Sequence, residues 1–220
     1  MPSVLVDIGH PAHVHLFKHL IRRLQRHGVE VFVTARKKDI SIELLEEEKI
    51  EFKHLGNNHP GLTGKIKNLL EYDYLLYKYS KSIKPDIFIS HSSIYAAHTA
   101  FLLGKKCITL EDTGNADQSL LYRPFTDIIL TPECLRKNYG RKQKRYKAYH
   151  ELAYLHPHYF VPVNNIFGLL NLPEGQQYIL IRFVSRGSSH DVGIKGINAE
   201  GQIKVAEELS QFAKVFITSE

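Results

Sequence analysis

Short apolar runs alternate with stretches of helical periodicity over most of this chain, and that alternation restricts the fold more than any other feature. Ser3–Ile8, Val29–Thr34, Ile50–Leu55, Asp86–Ser90, Lys106–Leu110 and Asp127–Thr131 read as strands. Between them, Val14, Phe17, Ile21 and Leu24 repeat at helical spacing behind Pro11, and Ile40–Lys49 is charged and amphipathic. Ile66, Leu69, Leu70 and Leu76 mark a long helix that ends before Lys84-Pro85, and a helix over Ile94–Leu103 closes at Gly104. Strands that alternate with helices form βαβ units around a parallel sheet. Right-handed crossovers wind such a sheet doubly. The expected fold class is therefore α/β, a Rossmann-like doubly wound parallel sheet over residues 1–150.

Beyond that domain the pattern weakens. Residues 151–176, with Pro157, Pro162 and Pro173, read as a linker. A strand over Tyr178–Val184, a polar loop over Ser185–Gly196, a helix marked by Ile203, Ala206 and Leu209, and a strand over Lys214–Thr218 then form the beginning of a second Rossmann-like domain, residues 177–220. Either the chain is cut inside that domain, or this unit packs onto the first sheet as an appendage.

Composition narrows the function classes. Of 220 residues, 43% are hydrophobic and 24% charged, which is globular usage and excludes collagen, a long coiled coil and wholesale disorder. No apolar run approaches the ~20 residues that span a bilayer. No basic, apolar leader precedes the strand at Val4-Leu5-Val6. Two cysteines, Cys107 and Cys134, make no disulfide framework, so a reduced cytoplasmic protein is expected. The net charge of +6 suits anionic partners without choosing among them.

In parallel sheets, ligands sit beyond the C-terminal ends of the strands, which nominates the loops Gly9–His13, Gly56–Gly64, Ser90–Ser93 and Glu111–Asp117. In the first, the helix N-terminus suits an anion, but the G-x-G-x-x-G spacing of dinucleotide sites is absent. His10 and His13 read either as a general base or substrate contact, or as capping or packed histidines. The spacings of three and two among His10, His13 and His15 do not place all three on one helical face, so no metal is expected there. In the second group, Ser92 and Ser93 can cap the following helix or hold a phosphate or sugar hydroxyl, and His91 stands beside them. No G-x-S-x-G elbow is present, which disfavours a serine hydrolase. Glu111, Asp112 and Asn115 follow a strand end: they bind hydroxyls, bind a cation or serve as acid and base, or else form an Asx-type turn that caps the next helix. Arg136 to Lys147 carries seven basic residues with Tyr139 and Tyr146 between them. This segment is a binding surface for RNA or anionic lipid, or a solvated basic loop. Ser185, Arg186, Ser188 and Ser189 can cradle a phosphate with backbone N–H groups and one guanidinium.

The succession GHPAHVH, DIFISHSSIYAAHTAFLLGKKCITLEDTGNA and FTDIILTPE, followed by ELAYLHP and YILIRFVS, resembles a prokaryotic family known only as a domain of unknown function. That family is similar to GT-B glycosyltransferases. A weaker resemblance extends to the N-terminal domain of MurG-type N-acetylglucosaminyltransferases, and the non-hydrolysing UDP-N-acetylglucosamine 2-epimerases share the layout. The sequence departs from the MurG pattern in two places: only Gly9-His10 matches its glycine-rich first loop, and His91 replaces a glycine. The acidic motif that holds the donor ribose in such enzymes lies late in their second domain, and this sequence ends before that point. The resemblance implies a GT-B-type transferase that moves a sugar from a nucleotide-sugar donor to an acceptor, with a 2-epimerase as the alternative. It places His10, His13 and Asp112 in catalytic roles and Gly9, His91, Ser92, Ser93, Glu111 and Asn115 at the substrate. It places Ser185, Arg186, Ser188 and Ser189 at the donor phosphates. It implies no cofactor and no obligatory metal, a nucleotide-sugar as partner, and a lipid-linked or glycan acceptor. Peripheral contact with anionic membrane at its inner face fits the basic segment, and no DNA is expected. A non-enzymatic basic module for RNA or anionic membrane is the rival from another class.

Overall fold

The computed structural model describes residues 1–220 apart from 38–39, 58–60, 115, 184–195 and 220. They form two compact units, Met1–Phe160 and Val161–Glu220. In the first unit the elements run β1 (Ser3–Ile8), α1 (Pro11–Arg26), β2 (Glu30–Lys37), α2 (Ser41–Glu47), β3 (Lys53–Asn57), α3 (Gly61–Ile83), β4 (Ile87–His91) and α4 (Ile94–Leu102). They continue with β5 (Lys106–Leu110), α5 (Ala116–Tyr122), β6 (Ile128–Pro132), β7 (Gln143–Tyr146) and α6 (Leu152–Leu155). All seven strands pair in parallel, in the order β3-β2-β1-β4-β5-β6-β7. This is the α/β Rossmann-like sheet that the alternation predicts.

The sheet is buried on both faces, so β1 is a continuous apolar run rather than an alternating one. Val4, Val6 and Ile8 pack with Val14, Phe17 and Ile21 of α1, Val33 and Ala35 of β2, and Leu45 of α2. Leu5 faces the other layer, where Phe88, Leu76, Ala96, Ala97, Ala100, Cys107, Tyr122 and Ile129 are buried together. The three alanines let α4 lie close against the strands.

The strand order reverses direction between β1 and β4, and such a switch point opens a crevice outside the strand C-termini. Residues in one row of the sheet bring the loops to that edge: Asp7 pairs with Thr34 on one side and Ser90 on the other, Ser90 pairs with Thr109, and His91 pairs with Leu110.

Several boundaries differ from the sequence expectation. β2 runs on to Lys37, because Thr34 and Arg36 are polar residues that the sheet edge buries. The loop expected over Gly56–Gly64 shrinks, since β3 reaches Asn57 and α3 starts at Gly61. Part of the polar stretch after β5 is helix α5, which covers the sheet with Tyr122. The basic segment contains strand β7, whose Gln-Lys-Arg-Tyr sequence carries no apolar signal but pairs with β6 at the open rim.

The second unit contains α7 (Ile166–Leu169), β8 (Tyr178–Phe183), α8 (Ala199–Ser210) and β9 (Lys214–Ser219), with β8 and β9 paired in parallel. Leu180, Ile203, Phe212 and Ile217 are exposed in it. The stretch expected to be a plain linker holds the short helices α6 and α7. No described helix is long and apolar enough to cross a membrane.

Candidate functional site

At the C-terminal edge of the sheet a continuous series of rings runs from the start of α1 to the end of β7. The His10 and His13 ring centres lie 5.8 Å apart, His13 and His91 4.7 Å, and His91 and His150 5.2 Å; Tyr146 stacks on His150 at 6.0 Å. Asp112, in the loop after β5, sits between two of these rings. Its Oδ1 lies 3.0 Å from His91 Nε2 and its Oδ2 lies 3.0 Å from His150 Nδ1. The carboxylate is 32% exposed, whereas the two imidazoles are 12% and 6% exposed, so the group opens to solvent through Asp112. His150 and then His91 hold the Asp112 carboxyl far below the usual carboxylate range, so it is an anion at any ordinary pH.

The histidines at the head of α1 have local roles as well. His10 is the N-cap of α1: its Nδ1 accepts the Ala12 N–H at 3.2 Å, and Pro11 follows at the first helical position. His13 Nδ1 accepts the Gly9 N–H at 3.3 Å, which leaves Nε2 as the proton-bearing nitrogen of the neutral ring. Gly9 is required by space. A Cβ there would strike the Arg36 guanidinium, which is wedged beneath it.

That guanidinium belongs to a buried polar anchor. Asp7 is fully buried and accepts from Thr34 Oγ1 at 2.9 Å, Arg36 Nη2 at 3.1 Å and Ser93 Oγ. Arg36 lies over the Tyr95 ring at 4.6 Å. Ser93 Oγ also accepts the Ala96 N–H and caps α4. Ser92 is held in the left-handed region at φ 51°. Its hydroxyl donates to Glu111 Oε2 at 2.6 Å.

Glu111 is an internal anchor. Its Oε1 takes the Thr113 N–H and hydroxyl, each at 2.8 Å, and the Gly114 N–H at 2.9 Å; its Oε2 takes Ser92 and the Tyr122 hydroxyl. Burial alone would raise its pKa, but these donors outweigh burial and hold it below the usual range. Burial and the adjacent Glu111 carboxylate together push the Tyr122 phenol up.

Of the residues that the sequence nominates, His10, His13, His91, Asp112 and Gly9 come together at this edge. Ser92, Ser93 and Glu111 lie beside it, but their hydrogen bonds go into the chain itself, fixing the turn after β4 to the loop after β5. Asn115, Ser185, Arg186, Ser188 and Ser189 lie outside the described residues. His150, Arg36 and Asp7 carry no motif or spacing that marks them in the sequence. His150 stands between the basic segment that ends at Lys147 and the run Leu152–Leu155, and only the β7 pairing brings it back to the site. Three of the seven basic side chains after β6 are bound to the chain's own carbonyls: Lys137 to Gly114, Lys142 to Arg123 and Pro124, and Arg145 to Glu133, Leu135 and Lys137.

A seven-stranded parallel sheet with its polar crevice at the β1/β4 switch defines an α/β protein of the Rossmann-like kind. The model of the family described as a protein of unknown function, DUF354, matches residues 3–217, and the chain belongs to that family. The uncharacterised protein MJ0665 of Methanocaldococcus jannaschii is 27% identical over 137 residues, which cover 62% of this chain and 40% of that protein. Three solved structures share the fold. The UDP-GlcNAc 2-epimerase of Neisseria meningitidis bound to UDP-GlcNAc has a TM-score of 0.68 at 14% identity, with 99% of this chain and 72% of that one covered. The UDP-N-acetylglucosamine 2-epimerase of Rickettsia bellii has 0.71 at 12%, with 100% and 62% covered. MurG of Acinetobacter baumannii has 0.55 at 13%, with 100% and 68% covered. The chain thus spans less than half of its curated relative and about three-fifths of the Rickettsia enzyme.

Proposed function

We propose that the chain is the sheet-bearing portion of a nucleotide-sugar enzyme that transfers a sugar to an acceptor hydroxyl at this edge. The observation that carries the proposal is the convergence of His13, His91, Asp112 and His150 at the switch point. The fold around them is shared with proteins described as UDP-GlcNAc 2-epimerases and MurG. In the tautomer that donates Nε2–H to Asp112, His91 keeps a lone pair on Nδ1 and can take the proton of an acceptor hydroxyl. The ionised Asp112 fixes that tautomer and stabilises the imidazolium that forms. The N-termini of α1 and α4 face the same edge with their partial positive charge, which suits a departing diphosphate. Ser185, Arg186, Ser188 and Ser189 are the proposed donor-side contacts. A glycan or a lipid-linked sugar is the proposed acceptor.

Epimerisation at C2 of a UDP-sugar is the second reading. It is favoured by the higher TM-scores of the two 2-epimerases, 0.68 and 0.71 against 0.55 for MurG. Incubating the protein with UDP-GlcNAc separates the two. An epimerised nucleotide sugar formed without acceptor indicates the second reading, and free nucleoside diphosphate formed only with acceptor indicates the first. His91→Ala and Asp112→Asn are expected to lower turnover on the order of 10²-fold or more. Full turnover in both folded variants would refute the role of this cluster.

A further inference from the structure

His150 is a buried imidazole whose one polar neighbour described so far is the Asp112 carboxylate. The residue is 7% exposed, and among the described residues neither Nδ1 nor Nε2 makes a hydrogen bond. Folded proteins rarely leave buried polar atoms in that condition. Yet Nδ1 lies 3.0 Å from Asp112 Oδ2, as close as a hydrogen-bonded atom would be. Two donor atoms at that separation can share one ion, and the same closeness lets His150 hold the Asp112 carboxyl down. His91 Nε2 stands at the other oxygen of the same carboxylate, and the ligand atoms of all three residues lie within 4.8 Å of one another. An ion bound at about 2.0–2.2 Å in a tetrahedral site needs ligand atoms about 3.4 Å apart, so a small side-chain adjustment brings the set to that geometry.

Two imidazoles and a carboxylate, with the remaining positions open, form a donor set that first-row divalent ions take when water or a substrate completes the coordination. We propose that His91, Asp112 and His150 hold such a cation, with zinc the ion the donors suit best. The three come from the end of β4, the loop after β5 and the turn after β7, so the fold assembles a set that sequence spacing does not show. Tyr146, stacked on His150, fixes that ring's plane. His10 and His13 stay outside the set, because their Nδ1 atoms accept backbone N–H groups. The proposal goes beyond the sugar-nucleotide reading and does not rest on it, since the ion is detected without any substrate. With such an ion bound, His91 Nε2 would serve as a ligand instead of donating to Asp112, and the ion would supply a bound hydroxide as base.

The test uses the tag-free chain, stripped with a chelator. Zinc is titrated calorimetrically, and cobalt(II) is followed by its visible d–d absorption. One saturable equivalent is expected, with a raised melting temperature. Asp112→Asn and His150→Asn, chosen for size, should each weaken binding on the order of 10²-fold or more, while His10→Ala leaves it unchanged. Circular dichroism of each variant confirms that the fold is retained. Absence of a saturable equivalent in the parent chain would overturn the proposal. So would undiminished affinity in folded Asp112→Asn, or loss of the ion on His10→Ala alone.

Discussion

Replacing Glu111 by glutamine separates an anchoring carboxylate from one that meets substrate. The side chain is 1% exposed and accepts five hydrogen bonds, two of them from backbone N–H groups in the loop that carries Asp112. Hydrogen bonds to a charged acceptor contribute about 1.5–3 kcal/mol each, against about 0.5–1.5 for neutral pairs. Glutamine keeps one oxygen for Thr113 and Gly114, so three bonds lose only their charge assistance, about 1 kcal/mol apiece. Its amide N–H₂ then faces the hydroxyls of Ser92 and Tyr122, and one buried hydroxyl proton is left to find another acceptor. The smaller desolvation cost of a neutral amide offsets part of this, for a net loss of about 2–4 kcal/mol. In a chain of this size that corresponds to about 5–15 °C of melting temperature. The pH dependence provides a second check. The folded carboxyl titrates below its ordinary value of 4.5, so its stabilisation is fully present above that value and is lost as pH falls through the lower, folded value. The gap between parent and variant, measured by calorimetry or circular dichroism, should therefore be constant from neutral pH down to about 5 and narrow below about 4.5. A variant that melts within about 1 °C of the parent at pH 7 would refute this account, because even one lost charge-assisted bond exceeds that shift.

Other substitutions test neighbouring parts of the edge. Gly9→Ala forces the Arg36 guanidinium away from Asp7 and Tyr95, so a loss of about 1–3 kcal/mol is expected in denaturant titration. Ser92→Gly relieves the left-handed backbone, worth about 1 kcal/mol, but removes a hydroxyl from a buried carboxylate, worth about 1.5–3 kcal/mol; chemical denaturation should show a small net loss, and a gain would reverse the ranking. Asp112→Asn should also lower stability at neutral pH, because His150 and His91 hold that carboxyl far below its usual range, though its one-third exposure to solvent reduces the effect; thermal melts of this variant beside Glu111→Gln make the comparison.

Most of the fold can be read from the sequence because burial on both sides gives parallel strands continuous apolar runs. β1 carries that signature in Val4-Leu5-Val6 and β4 in Ile87-Phe88-Ile89. β7 does not: Gln143 to Tyr146 is polar, and only the free edge of β6 makes it a strand. Helix α5 is masked by the polar residues that precede it. At the site, the strand-end loops identify His13, His91 and Asp112, since parallel topology alone takes them to one edge. His150 is illegible for the opposite reason. It lies past the last strand predicted for the first domain, and its place depends on the pairing of β7. Glu111 reads as a site residue because carboxylates at strand ends often are; its saturation by five internal donors is a tertiary fact that no spacing encodes.

An open sheet has two rims of unpaired backbone groups, and each is a template on which a strand from another molecule can settle. At the β7 rim the exposed residues are Lys144 and Arg145, and Arg145 is folded back onto three carbonyls of the preceding loop. A foreign strand would have to run alongside those cations, and two copies meeting rim to rim would press like charges together. These two cations therefore oppose edge-on association, and converting Lys144 and Arg145 to valine is expected to favour edge-on polymerisation, visible as a time-dependent rise in light scattering.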